Sequence, residues 1–306
     1  MSYDSAFIVG CDRSGTTLLR ALLDGHPSVA VPPESHFIPT ILSTWPEGPV
    51  DPDAFVDILR QQPRFSLWQV TLPRARQLAA AAPDAIDALK ALFQEQASTC
   101  RKKIWMDKTP GNALHVPRLA ASFDSAIFVH LVRDGRDVAL SLVAQEFGPT
   151  SIGGAALYWR KRVTAAAAAG RELPDGRYLE VRYEDLVDRP REVLQRILDL
   201  VGLDFDEQML DVGRVAERIQ RTTLRPEAHS RLPLGLRSGL RTWQAEMLPR
   251  DVEVFELLAG ETLEEHGYET SGQRPSVGAR VKAWRLSTRR RMWRGRGSRS
   301  PRPPDA

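Results

Sequence analysis

Eight consecutive residues near the N-terminus, Gly10-Cys11-Asp12-Arg13-Ser14-Gly15-Thr16-Thr17, put two glycines, an arginine and three hydroxyls into one short stretch. Glycines let a backbone curl so that successive N–H groups converge, and a helix that starts after the curl aims its positive end at an anion. Arg13 adds a planar fork of donors for anionic oxygens. The glycine spacing is that of a phosphate-binding loop, but Thr16 stands where the nucleotide-hydrolase pattern carries lysine. Without that lysine the loop suits a terminal phosphate-like group of a different nucleotide, with Arg13, Ser14, Gly15, Thr16 and Thr17 as its contacts. The bland alternative, a tight turn that holds nothing, is disfavoured by the order strand, loop, helix.

The elements that must position this loop are legible around it. Residues 6–9 are a short apolar run suited to a buried parallel strand. Leu18, Leu19, Leu22 and Leu23 then fall on one face of a helix predicted over 16–25, with Gly25 as its stop. Further strands are predicted at 29–31, 103–106, 126–132 and 177–181, the fourth of these five runs being the strongest. Helices are predicted over 134–146, 154–170 and 190–201, and residues 34–100 read as mostly helical, broken at Pro63, Pro73 and Pro83. Strands alternating with helices predict an α/β fold, a P-loop-type parallel sheet flanked by helices with right-handed crossovers. Residues 1–272 are expected to form this domain and 273–306 a basic tail rich in Arg, Pro and Gly. Residues 222–239 lack periodicity, and a loop that long is functional or disordered.

Charge is unevenly spread. From Arg274 onward there are eleven Lys/Arg against one acid, Asp305, a net +10; the rest of the chain holds 31 against 38, a net −7. A mildly acidic body with a basic tail is not a nucleic-acid-binding domain, and no nucleic-acid partner is expected. Two cysteines, Cys11 and Cys100, make no disulfide framework and fit a reducing compartment. No apolar run is long enough to span a bilayer, so a cytoplasmic protein is expected. The six histidines do not cluster with cysteines or carboxylates, so no metal site is expected.

The run from Asp12 to Leu19 resembles the 5′-phosphosulfate loop of sulfotransferases that use 3′-phosphoadenosine 5′-phosphosulfate (PAPS), above all the branch of the tyrosylprotein sulfotransferases. Four further segments resemble that family in the same chain order, over most of residues 6–270. The resemblance implies that Arg133 and Ser141, eight residues apart across a strand end and the next helix, bind the 3′-phosphate of PAPS, with Arg136 in support unless it pairs with Asp134 or Asp137. Tyr183 corresponds to a tyrosine near the nucleotide, or else is a core residue opening a helix; Glu184 and Asp185 serve that helix's N-terminus. The basic stretch 225–241 falls where such enzymes close over the nucleotide: Arg237 is the candidate there, beside Ser238, Gly239 and Arg241, with Trp243 as packing. The tyrosylprotein branch has a lysine where this chain has Thr242.

For the chemical step, Glu34 in Pro32-Pro33-Glu34-Ser35-His36 resembles that branch's catalytic glutamate and is the expected general base. His36 is the competitor, because an imidazole titrates near neutrality and other sulfotransferases use histidine. Lys108 resembles the family lysine that supports the moving sulfuryl group, unless it merely pairs with Asp107; His26 resembles a structural histidine after the first helix. The resemblance thus implies in-line sulfuryl transfer from PAPS to a hydroxyl or amine, leaving PAP, with Glu34, Lys108 and Arg13 as catalytic residues and no metal. The acceptor is not readable from the sequence, and a homodimer stays open. Rival expectations are a P-loop kinase or NTPase and a non-catalytic nucleotide-binding module. In the tail, Val277, Val281 and Trp284 recur at helical spacing among arginines, which fits either a membrane-surface helix or a solvated tail.

Overall fold

The central strand β1, Ser5–Gly10, is buried along its whole length. It pairs in parallel with β3, Ile104–Lys108, on one side and β4, Ala126–Val132, on the other, while β2, Val29–Ala30, and β5, Tyr178–Arg182, complete a five-stranded sheet of order β2-β3-β1-β4-β5. The computed structural model describes residues 3–221 and 242–294. Helices, in chain order, are α1 (Thr16–Leu23), α2 (Ile38–Thr44), α3 (Pro52–Arg60), α4 (Leu72–Ala81), α5 (Ala85–Thr99), α6 (Val116–Ser122), α7 (Gly135–Val143), α8 (Ile152–Arg171), α9 (Tyr183–Asp188), α10 (Pro190–Leu200), α11 (Val212–Arg221), α12 (Trp243–Glu246), α13 (Pro249–Glu265) and α14 (Val277–Arg294).

The alternation of side chains along a strand explains why both faces of the sheet are apolar. Phe7, Val9, Trp105 and Phe128 enter a core shared with α2 to α6, where Phe93 and Trp105 have ring centroids 4.5 Å apart. Ala6, Ile8, Met106, Ile127, Val129 and Leu131 enter a second core with α1, α9, α10 and α11. The central strands β1 and β4 are buried along their whole length, so each reads as a near-continuous apolar run.

Register then delivers the site. Ile8 pairs with Lys108, Gly10 with Leu131, and Val132 with Arg182. The carboxyl ends of β1, β3, β4 and β5 therefore line up, and the loops leaving them start from one edge, the edge at which open α/β sheets bind ligands.

By contact density the chain divides into two compact units: the described residues up to Arg133 together with Arg162 to Arg221, and Asp134 to Lys161 together with the described residues from Thr242 on. The sheet belongs to the first. In the second, Trp159 is fully buried and stands 5.9 Å from Phe255, ring centroid to centroid, and α13 carries the packed face of α14.

Boundaries shift from expectation in identifiable ways. β3 runs to Lys108, so this lysine ends the strand instead of following it, and β5 begins at Tyr178. Helix α1 ends at Leu23 with Asp24 as its C-cap and the predicted stop Gly25 directly after it. The Asp24 carboxylate accepts the Val31 N–H at 3.0 Å and the Lys102 ammonium at 3.0 Å, tying the end of α1 to the end of β2. No helix among the described residues is long and apolar enough to cross a membrane.

Candidate active site

The loop after β1 has the backbone that its glycines foretell. Gly10 has φ 156°, and a Cβ there would lie 2.5 Å from the Leu131 carbonyl oxygen of β4. Gly15 has φ 91° and is the N-cap of α1 with no side-chain cap. Leu18 and Leu19 donate to the Gly15 carbonyl, so the N–H groups just before them have no intrahelical acceptor and remain available to an anion. Arg13 itself holds a left-handed φ of 71°, a conformation costly for a side-chain-bearing residue. Asp12 is steadied by Arg162 of α8 at 3.5 Å. Ser14 is fully buried, and its hydroxyl has no hydrogen-bond partner among the described residues. A buried hydroxyl with no partner is expensive, and a bound anionic group would satisfy it.

Tyr183 and Arg133 close on this loop from β5 and β4. A Cβ on Gly15 would sit 2.3 Å from the Tyr183 ring, so the ring lies directly against the glycine. The Arg133 guanidinium lies 4.5 Å from the centroid of the same ring. Gly15 is therefore required twice, for its φ and for the approach of Tyr183, and only the first requirement could be read from sequence. Tyr183 does open a helix, α9, as the bland alternative held, but its ring is spent on the loop.

On the other side of the loop stands a cluster of charge. The Lys108 ammonium, 3% exposed, contacts Glu34 Oε1 directly and lies 3.5 Å from the Thr17 hydroxyl. His36 Nε2 bonds the other carboxylate oxygen at 2.9 Å, and Arg64 Nη1 lies 3.3 Å from it. Burial by itself would raise the Glu34 carboxyl; Lys108, the His36 hydrogen bond and Arg64 outweigh it and hold the group well below the usual carboxylate range. Burial, aided by Arg20, pushes the Lys108 ammonium down despite Glu34. His36 keeps its place with a left-handed φ of 44°.

The alternative in which Lys108 merely pairs with Asp107 fails for a simple reason. Successive strand residues face opposite ways, and Asp107 turns instead to Thr109 Oγ1 at 3.1 Å and Asn112 Nδ2 at 2.8 Å. Thr109 Oγ1 in turn accepts the Ser35 N–H at 2.9 Å, so the buried Asp107 fastens the segment that carries Glu34. Burial raises the Asp107 carboxyl to about 6, against the hydrogen bonds from Ser35 and Thr109. Arg20, buried in α1, braces the same region by donating to the carbonyls of Val31 at 3.0 Å and Arg218 at 2.9 Å.

Arg64, Thr109 and Arg20 have no part in the sequence analysis, and Asp107 enters it only as an alternative partner for Lys108. Arg64 is thirty positions from Glu34 and only the turn at Pro63–Leu67 returns it. Trp68 helps fix that turn by donating from its indole to the Pro33 carbonyl at 3.1 Å. A cavity of about 670 Å³ lies along residues 59–72, lined by Phe65, Trp68 and Val70 among others; its lining does not include Glu34 or Lys108.

The remaining candidates fall elsewhere. Ser141 lies on α7 in the second unit, buried. Arg136, also there, is 2% exposed and bonded to Asp134 and Glu256, each at 2.8 Å, with the Trp243 ring 3.7 Å from its guanidinium. A fork so occupied organises its unit and is not left for a phosphate. The Trp243 ring packs on Arg136, and its backbone N–H donates to the Asp137 carboxylate at 2.7 Å. His26 is the structural turn residue anticipated for it: its ring takes the Ser28 N–H at 3.0 Å and bonds the Asp204 carbonyl at 3.0 Å. Arg237, Ser238, Gly239 and Arg241 lie outside the described residues. Among the described residues no group of three or more His, Cys, Asp or Glu side chains is placed to hold a metal ion.

A parallel sheet with helices on both faces and an anion-type glycine loop at its carboxyl edge is the architecture of a P-loop-type α/β fold. The chain belongs to the Sulfotransferase family, whose profile matches residues 5–207. It is 28% identical over 301 residues to nodulation protein NoeE of Sinorhizobium fredii, covering 87% of this chain and 66% of that protein. It is 29% identical to protein-tyrosine sulfotransferase 2 of Gallus gallus, covering 67% of this chain and 52% of that one. The chain thus spans about two-thirds and half of these relatives' lengths. Among solved structures, the sulfotransferase domain of the Synechococcus PCC 7002 olefin synthase superposes with a TM-score of 0.65 at 26% identity, over 88% of this chain and 96% of that one. Family and fold together support sulfuryl transfer as the reaction.

Proposed function

We propose that the protein transfers the sulfuryl group of PAPS to an acceptor hydroxyl or amine by in-line displacement, with Glu34 as general base. One observation carries this reading: a buried ammonium and a mostly buried carboxylate meet beside the Thr17 hydroxyl at the mouth of the anion loop. An ion pair that serves stability alone gains little from burial, and perturbed, coupled charges of this kind gather at working sites.

The residues present fit the donor. Arg13, the N–H groups at the start of α1 and the partnerless Ser14 hydroxyl would take the 5′-phosphosulfate, with Thr16 and Thr17 alongside. Arg133, held against Tyr183, would take the 3′-phosphate, and the family resemblance alone adds Ser141 and Arg237 as further donor contacts. When bound, PAPS supplies the sulfuryl group together with a leaving 5′-phosphate.

The chain's own groups divide the remaining work. Glu34, held strongly ionised by Lys108, is a weak base as it stands. Once the Lys108 ammonium shifts its attention to anionic donor oxygens, its hold on Glu34 loosens and the carboxylate gains the basicity to take the acceptor proton. Lys108 thereby stabilises charge on the transferring group and the bridging oxygen while releasing the base. His36, bonded to Glu34 Oε2, acts through Glu34 as a positioning residue.

Titration calorimetry with PAP, together with transfer of radiolabelled sulfuryl from PAPS into an extract of the source cells, tests the reading. Chelator-insensitive PAP binding with labelled product supports it; magnesium-dependent ATP binding without PAP binding would sink it. Glu34→Gln is expected to keep PAP binding and lose transfer.

A further inference from the structure

Helix α14 is apolar on two opposite faces. At 100° per residue, Ala279, Ala283 and Leu286 share one side, and Val277, Val281 and Trp284 share the other. The first side is used within its own unit. Ala279 and Ala283 are buried against α13, whose close approach their small side chains allow, and Leu286 fits over Gly153, where a Cβ would stand 2.4 Å from its methyl. Ser276 caps the helix, accepting the Ala279 N–H at 3.3 Å while its own N–H donates to Glu253 at 2.9 Å, and Lys282 bonds Asp251 of α13 at 3.3 Å. The helix is therefore anchored in one rotational setting.

That setting presents the second side outward. Val277 is 77% exposed, Val281 43% and Trp284 65%. Isolated exposed apolar residues are ordinary, but three in a stripe along a fixed helix mark an interaction surface. The stripe is bordered by charge of one sign: Arg280 precedes it on one flank and Arg285 follows it on the other, both exposed. The sequence continues with Arg289, Arg290, Arg291 and Arg294, and holds one acid after Arg274.

We infer that the outer face of α14 rests on an anionic lipid surface, with Val277, Val281 and Trp284 entering the headgroup–acyl boundary and Arg280 and Arg285 meeting lipid phosphates. An apolar ridge with cations on both flanks fits a target that is apolar within and anionic above, which is what a bilayer interface offers. Tryptophan is well suited to that depth, with an apolar body and one polar N–H. A second copy of the chain fits less well, because three side chains are a small stripe beside the roughly 1,200 Å² that a specific interface buries. The helix would lie on the surface and not cross it. Such docking would bring the enzyme to acceptors held at a membrane, and it stands apart from the donor reading.

Co-sedimentation of the full chain with vesicles tests this. Binding to phosphatidylcholine vesicles doped with phosphatidylserine is expected, with little binding to phosphatidylcholine alone and release by high salt. The triple variant Val277→Ser/Val281→Ser/Trp284→Ser and the double variant Arg280→Glu/Arg285→Glu should each lower partitioning on the order of tenfold or more. All five positions are exposed, so both variants should melt with the parent protein. Absence of binding to anionic vesicles overturns the inference. So does undiminished binding by the triple variant, which would leave only diffuse attraction by the arginines. A dimer seen by light scattering and dissolved by the triple variant would assign the face to a second copy instead.

Discussion

Around Glu34 the chain buries charge, and along Trp284 it exposes apolar surface. Each departs from the usual partition, in opposite directions. Glu34 and Lys108 are 13% and 3% exposed, withdrawn from water that would solvate them cheaply, while Trp284 stands 65% exposed where the neighbouring helix could have covered it. The departures differ in how they are held. The charges are locked by a web that includes His36, Arg64 and, through Ser35, the Asp107–Thr109–Asn112 network. The tryptophan is held only by the anchoring of its helix from behind. A protein tolerates a buried pair when both partners are present and pays heavily when one is lost, whereas an exposed side chain can be exchanged with little consequence for folding.

That contrast can be broken by experiment, and the largest effect should be on catalysis. Glu34→Gln is expected to slow sulfuryl transfer about a hundred- to ten-thousand-fold while PAP affinity, measured by calorimetry, stays near the parent value. Equal loss of both would make Glu34 a folding residue.

Lys108→Met leaves the Glu34 carboxylate buried without its main partner. A loss of about 3–5 kcal/mol in denaturant unfolding is expected, and the double variant with Glu34→Gln should recover part of it. Strict additivity in that cycle would mean that the pair is not coupled.

Asp107 sharpens the comparison through pH. Its folded-state carboxyl is raised to about 6, so the neutral form is the one the native protein prefers. Its contribution is complete below the unfolded value of about 4 and is lost as pH rises through 6, a change of at most about 3 kcal/mol. Thermal unfolding followed across pH 4 to 7 should show this slope, and Asp107→Asn should flatten it.

Gly15→Ala meets both a left-handed φ and the Tyr183 ring. A destabilisation of about 2 kcal/mol is expected, and a double-mutant cycle with Tyr183→Ala should return a coupling above roughly 0.5 kcal/mol. At the other extreme, Trp284→Ser alone should alter stability by no more than about 0.5 kcal/mol in the same assay. A larger loss there would mean that the outer stripe of α14 supports the fold.

The candidate site was unevenly legible. The anion loop could be read because its chemistry is local: a glycine-rich curl between a strand and a helix occupies eight neighbouring residues. Glu34 and Lys108 could be named through resemblance, but their contact could not, since 74 residues separate them and only the sheet brings them together. Arg64 carried no signal at all. Its role depends on a turn fixed by aromatic packing and the Trp68–Pro33 bond, and a lone arginine in a helical stretch looks like any solvated residue. Arg136 was readable as a rival to its own assignment, because Asp134 two positions away already offered it a partner.

What the sequence by itself determined is whatever rests on short-range periodicity and composition: the alternating strands and helices, the glycine loop, the loss of the hydrolase lysine at Thr16, and the basic, amphipathic C-terminal segment. Tertiary structure alone decided which charges meet and which faces remain open. Pairing in a parallel sheet joins residues far apart in the chain, so register put Lys108 beside the loop and turned Asp107 away from it. The packing of Ala279 and Ala283 on α13 likewise chose which of two apolar faces of α14 would be left toward solvent. Helical spacing sets the faces of α14, and only a neighbour can select between them.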